Sequence, residues 1–115
     1  PIMKEKRRGH IVIISSIASF MSIIHHGGYS ASKIAVKTLA NSWRKSLSKY
    51  DISITTIMPG FIKSEMTAAS DFKMPFLMDT ETATEKIVNA VSRKKANYIF
   101  PWQWRFLIPI MKRVY

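Results

Sequence analysis

The sequence predicts an α/β fold organised around a parallel sheet, and three observations carry that prediction. His10-Ile11-Val12-Ile13-Ile14-Ser15-Ser16 places four β-branched apolar residues in a row and closes them with two serines. Such a run reads as a strand buried on both faces, which is the habit of parallel sheets. Strand-like and helix-like segments then alternate as strand, helix, strand, loop, helix, strand, the order that crossover connections produce. Finally, Pro59-Gly60 stops the second strand sharply and so marks the carboxyl edge of the sheet.

The elements follow in order. Residues 1 to 9 are polar and basic and end at Gly9. Residues 17 to 28 are expected to form a loop after the first strand, closing on His25-His26-Gly27-Gly28. A helix is expected from about Ser30 to Tyr50, with Ala35, Leu39, Trp43 and Leu47 as an apolar stripe. Ile52 to Met58 reads as the second strand. Residues 61 to 78 are irregular and rich in methionine and phenylalanine. Asp79 is a candidate N-cap for a helix whose buried face is Ala83, Ile87, Ala90 and Val91. Asn97 to Pro101 reads as a short third strand. The arm from Trp102 to Tyr115 is apolar, aromatic and basic, and Pro109 is expected to interrupt a long helix there.

Composition narrows the function. The 115 residues suffice for one small domain with a core, and 47% of them are hydrophobic, which is no disordered composition. The absence of cysteine excludes a disulfide framework, thiolate zinc sites and cysteine nucleophiles, and it fits a reducing compartment such as the cytoplasm. No run approaches the roughly 18 apolar residues that span a bilayer. The chain opens at Pro1 on a charged segment with no long apolar region behind it, so it reads as the interior of a longer protein and not as a secretory signal. The net charge of +11 is uneven, with seven basic and no acidic residues from Lys86 onward. Such a balance can serve nucleic acid, an anionic membrane or a phosphate-rich cofactor; it reads in preference as a solvated basic face, and no nucleic-acid recognition motif is present.

The residues with chemistry cluster at the sheet's carboxyl edge. Tyr29 and Lys33 stand four apart in Gly27-Gly28-Tyr29-Ser30-Ala31-Ser32-Lys33, one above the other on a helix. A neighbouring positive charge favours the phenolate, so a tyrosine in this setting can take or give a proton closer to neutral pH. Ser16 lies thirteen residues earlier, at the end of the first strand. Ligands of parallel sheets bind outside the carboxyl ends of the strands, where Ser16, Pro59 and Gly60 also fall. Each residue alone has an ordinary explanation: a turn serine, a packing tyrosine, a solvated lysine. Their joint spacing points to carbonyl/alcohol redox chemistry.

Ser16, Tyr29-Ser30-Ala31-Ser32-Lys33 and Pro59-Gly60-Phe61-Ile62-Lys63-Ser64 together resemble the short-chain dehydrogenase/reductase family, over Gly9 to about Phe100. The resemblance implies a partial Rossmann-like, doubly wound parallel sheet, the last three strands of seven with their crossover helices. Residues 1–115 would then be the carboxyl-terminal part of a single domain, with 102–115 as its terminal arm. It implies Tyr29 as the acid/base, Lys33 as its tuner and the partner of a nicotinamide cofactor's ribose, and Ser16 as the holder of the substrate oxygen. Pro59, Gly60, Ile62 and Ser64 would lie along the nicotinamide of NAD or NADP. His25, His26 and Met66 would border a small carbonyl or alcohol substrate, and the methionine- and phenylalanine-rich stretch would form an apolar lid over it. A homo-oligomer is the expected assembly.

The family's glycine-rich pyrophosphate turn, its Asn-Asn-Ala-Gly segment and its helical catalytic asparagine are absent from these residues. The choice between NAD and NADP is therefore unreadable, and the 115 residues alone are expected to be inactive. Other signals fail. Ser30-x-x-Lys33 fits a serine-nucleophile motif, but its companion motifs are absent. The histidines lack carboxylates at metal spacing, so no metal site is expected. Two readings of the aromatic arm stay open: a membrane-peripheral interaction module, or an arm packed on its own domain or a partner subunit.

Overall fold

The computed structural model describes residues 1–20, 27–63, 74 and 76–114. Its chain order is α1 (Ile2–Lys6), β1 (Gly9–Ile14), a 3-10 turn (Ile17–Phe20), α2 (Gly27–Leu47), a second 3-10 turn (Ser48–Tyr50), β2 (Ile52–Pro59), α3 (Thr80–Ser92), β3 (Asn97–Phe100) and α4 (Gln103–Val114). The three strands form a parallel sheet, as the alternating pattern predicts, and β2 lies in its centre. Gly9 to Ile14 pair with Ile52 to Ile57, and Thr56 to Pro59 pair with Asn97 to Phe100.

Burial follows from position in the sheet. β2 is covered on both faces: Ile52 and Ile54 pack with Ala40 of α2, while Ile57 packs with Ala83 and Ala90 of α3 and with Phe100. Each such aliphatic side chain contributes about 2 kcal/mol by leaving water. β1 departs from the expectation of burial on both faces. Ile11 and Ile13 join the α2 cluster, whereas Val12 and Ile14 are exposed. β1 is an edge strand, and among the described residues no element covers its second face.

α2 begins three residues earlier than its sequence suggests and turns a different side to the sheet. Leu39 and Trp43 of the expected stripe are exposed, and so is Ala35. The inward positions are Ser30, Lys33, Lys37, Ala40, Arg44 and Leu47, at helical spacing, with Val36 partly covered beside them. The long cations lay their stems on the sheet and spend their charged ends on main-chain carbonyls: Lys33 Nζ on Ile14 O (3.3 Å), Lys37 Nζ on Ser19 O (3.2 Å) and Arg44 Nε on Ile54 O (3.3 Å).

α3 matches its expected face, with Ala83 and Ala90 buried and Ile87 packed beside them. Asp79 caps it by accepting the Thr82 N–H at 3.1 Å. Two further differences concern short elements. The polar opening forms a single helical turn, α1, and the arm forms a 12-residue helix that carries Pro109 in its interior. α4 continues through the proline because Trp104 and Ile108 anchor it on Ile17, with Leu107 and Met111 beside them.

Candidate active site

Two adjacent serines at the carboxyl end of β1 divide the labour. Ser15 builds. Its N–H donates to Ile57 O at 2.7 Å, extending the β1–β2 ladder, and its hydroxyl donates to the Lys33 carbonyl at 2.9 Å. The second bond ties the strand end to the helix turn that bears Lys33. Ser16 is also buried, but its Oγ accepts the Ala18 N–H at 3.1 Å, while its carbonyl receives Ser19 N and Ser19 Oγ. With a lone pair engaged by Ala18, the Ser16 hydroxyl keeps its own proton to donate.

Tyr29 sits in the first turn of α2, 44% exposed, and its ring lies 5.5 Å from Lys33 Nζ. Its hydroxyl makes no hydrogen bond with the described residues. Ser32, on the same turn, donates to the Tyr29 carbonyl at 2.7 Å and steadies the helix start. Lys33 is half-buried, and one of its three N–H groups is used on Ile14 O. Helical spacing brings Tyr29 and Lys33 together, and the Ser15 and Lys33 bonds to β1 bring that pair to the strand end that precedes Ser16.

Pro59 and Gly60 occupy the carboxyl end of β2, two and three residues past Ile57, the acceptor of Ser15 N. Gly60 faces β3 and α4. Gly60 N donates to Phe100 O at 2.8 Å. The space a Cβ would fill at Gly60 is taken by the Trp104 indole, whose Nε1 would lie 2.6 Å away. Packing alone therefore requires the glycine. Ile62 sits in a parallel bridge with Met78, closed by Lys63 N to Met78 O (2.7 Å) and Met78 N to Phe61 O (2.9 Å). His25, His26, Ser64 and Met66 lie outside the described residues.

Sequence reasoning missed two contributors. A serine ending a strand, as Ser15 nearly does, carries no signal beyond that of a turn residue, although the serine beside it hints that two hydroxyls share one strand end. Trp104 carries no sequence signal for its place over Gly60, 44 positions away. Among the described residues, no group of histidines and carboxylates could hold a metal ion.

The donors present suit a nicotinamide dinucleotide: an ammonium that among the described residues spends one N–H on a carbonyl, at the carboxyl rim of a parallel sheet, beside a phenol with no hydrogen bond to a described residue and an O–H donor. Comparison with known proteins agrees with this architecture. The sequence profile described as short chain dehydrogenase matches residues 1–75. An uncharacterized oxidoreductase of Myxococcus xanthus is 45% identical over 103 residues, covering 90% of this chain and 41% of that protein. Dehydrogenase/reductase SDR family member 7B of Xenopus laevis is 35% identical over 96 residues, covering 81% and 30%. A short-chain dehydrogenase from Sphingobium yanoikuyae, solved in complex with NADPH, superposes with a TM-score of 0.79 at 22% identity, covering 99% of this chain and 47% of that one. The chain thus spans less than half the length of each of these three proteins. With its parallel sheet and a family match over residues 1–75, the chain belongs to the short-chain dehydrogenase/reductase family.

Proposed function

We propose that this chain carries the proton-transfer part of an NAD(P)-dependent oxidoreductase that interconverts a carbonyl and an alcohol. The observation that carries the reading is the Tyr29–Lys33 pair on α2, held at the β1 end by Lys33 Nζ to Ile14 O and Ser15 Oγ to Lys33 O. The chain would form the carboxyl-terminal part of one Rossmann-like domain. A bound nicotinamide dinucleotide, NAD or NADP, supplies or accepts the hydride.

The chain's own residues handle oxygen and proton. Ser16 donates its O–H to the substrate oxygen, from a hydroxyl oriented by the Ala18 N–H. Tyr29 donates its phenolic proton to the same oxygen in reduction and takes it back in oxidation. Donors preset toward an oxygen that gains charge stabilise the transition state more than the ground state. Lys33 presents its remaining N–H groups to the cofactor's ribose hydroxyls and keeps a positive charge beside the Tyr29 ring. Pro59, Gly60 and Ile62, at and just past the carboxyl end of β2, are the residues we assign to the nicotinamide side.

Tyr29→Phe tests the assignment. Loss of a positioned acid/base lowers turnover by about 10²–10⁴-fold. In the complete protein the variant should retain its fold and cofactor affinity while kcat collapses. Turnover within a factor of three of the parent would remove Tyr29 from its role.

A further inference from the structure

α4 is apolar on two opposite sides, and the fold uses only one of them. Trp104 and Ile108 are buried against Ile17, with Leu107 and Met111 beside them. On the other side Trp102, Phe106 and Ile110 recur every four residues and are 60%, 66% and 59% exposed. Trp102 and Phe106 meet edge to face at 5.9 Å, so the ridge is preformed. It runs about 12 Å along the helix at 1.5 Å per residue. A helix apolar on both sides has a second apolar partner.

The surroundings of the ridge identify that partner. Trp102 and Arg105 also line a groove of about 660 Å³ between α3, β3 and the start of α4. Four cations line the same groove, Lys86, Arg93, Lys95 and Arg105, against a single carboxylate, Glu85. Arg105 is held by Nε to Ile99 O at 2.8 Å and lies 5.1 Å from the Tyr98 ring centre, which Lys95 Nζ flanks at the same distance. The terminal nitrogens of Arg105 make no hydrogen bond with the described residues, so a guanidinium fork stands ready for an oxyanion. Gln103 Oε1, buried beside it, has no hydrogen-bond partner among the described residues and can accept from a ligand hydroxyl or amine. Lys112 and Arg113 extend the positive charge past the ridge.

We propose that α4 lies flat on an anionic phospholipid surface, with Trp102, Phe106 and Ile110 set among the acyl chains and a headgroup phosphate held in the Arg105 groove. Charge decides against a second copy of the chain as the occupant. From Lys86 to Tyr115 there are seven basic and no acidic residues, so two such faces repel each other, while an anionic bilayer complements them. Tryptophan at the ridge's end suits the headgroup boundary. No described helix is long and apolar enough to cross a membrane, so contact is by an interfacial helix.

The test is co-sedimentation of the purified protein with vesicles of phosphatidylcholine alone or with about one third phosphatidylserine. Acidic vesicles should bind it, neutral ones should not, and 1 M salt should release it. Phe106→Ser with Ile110→Ser should abolish binding without unfolding the protein, because both side chains are exposed. Arg93→Gln with Lys95→Gln should weaken binding about 25-fold, at roughly fivefold per cation near an anionic surface. Brominated acyl chains should quench Trp102 fluorescence. Failure to bind acidic vesicles, or equal binding to neutral ones, overturns the proposal. So does a ridge variant that changes from dimer to monomer in sedimentation velocity while the parent ignores vesicles, which would assign the ridge to a second copy. Binding needs no turnover, so a membrane-bound but inactive Tyr29→Phe variant separates this proposal from the redox assignment.

Discussion

Arg44 should be among the most destabilising positions to alter outside the apolar core. Its guanidinium reaches from α2 to three places in the sheet layer: Nε to Ile54 O (3.3 Å), Nη2 to Thr56 Oγ1 (3.0 Å) and Nη2 to Ala96 O (2.8 Å). Nη1 adds Asn41 Oδ1 on its own helix at 2.7 Å. Partial burial lowers the Arg44 pKa from its ordinary value, so the charge has given up some hydration for these bonds. Hydrogen bonds to a charged group contribute about 1.5–3 kcal/mol each, and a buried acceptor left alone costs about 1–3 kcal/mol. Thr56 is fully buried, whereas Ala96 is exposed and can turn to water. Allowing for the hydration regained by removing the cation, Arg44→Met should cost about 2–4 kcal/mol. Urea titration is the assay. With a slope of about 1.5 kcal/mol per molar, the midpoint should fall by roughly 1.3–2.7 M. Arg44→Lys, with one charge and no fork, should recover about half. A Met variant within about 0.5 kcal/mol of the parent would show that the clamp contributes nothing and that apolar packing alone seats α2.

Two other perturbations have clear signs. Gly60→Ala would push a methyl to 2.6 Å from Trp104 Nε1 and 2.9 Å from its Cδ1, atoms of a rigid ring in the core. The overpacking should cost about 1–3 kcal/mol, and thermal unfolding followed by tryptophan fluorescence should register it as a lower Tm. Asp79 is held below the usual carboxylate range by its side-chain hydrogen bond with Thr82, then by the Thr82 main chain, with Lys63 nearby. A depressed folded-state pKa means stability that is present above the unfolded value of about 4 and lost as pH falls through the folded one. Asp79→Ala should therefore be less stable than the parent at pH 7, and the two melting curves should converge as the pH is taken well below 4.

The places where sequence and structure part company have physical causes. Strand order and the parallel sheet were legible because β-branched runs, turn residues and alternating periods all agreed. The Asp79 cap was legible because capping is local, confined to four residues. The sheet-facing side of α2 was not. Counting apolar residues selects Ala35, Leu39, Trp43 and Leu47, but a lysine or arginine can bury its stem and still find a carbonyl for its charge. Lys33, Lys37 and Arg44 do so, and only their tertiary partners reveal it. β1 misled for the converse reason: four apolar residues in a row say nothing about which face has a neighbour. In the site, Tyr29 and Lys33 were readable because one helical period joins them. The division between Ser15 and Ser16 was not, since it depends on where the Lys33 carbonyl and the Ala18 N–H lie.

That inward stripe also bears on how the candidate lysine should be tested. Lys33 shares its helix face with Lys37 and Arg44, and all three tie α2 to main-chain carbonyls of β1, the turn after it, or β2. A drop in activity on removing Lys33 could therefore come from a loosened helix as easily as from lost chemistry. The geometry separates the two. The bond from Lys33 Nζ to Ile14 O is long, at 3.3 Å, and Ser15 still grips the Lys33 carbonyl when the side chain is gone. Lys33→Met should then cost only about 0.5–1.5 kcal/mol of stability, the contribution of one ordinary hydrogen bond. Lys37→Met removes a similar carbonyl bond one turn along, together with an ammonium 3.8 Å from the Phe20 ring. It serves as the structural control. If Lys33 acts on cofactor and tyrosine, its Met variant should lose at least about 10²-fold in kcat/KM with its fold intact, and Lys37→Met should stay within tenfold of the parent. Equal losses in the two variants would make Lys33 one clamp among three and leave Tyr29 without its partner.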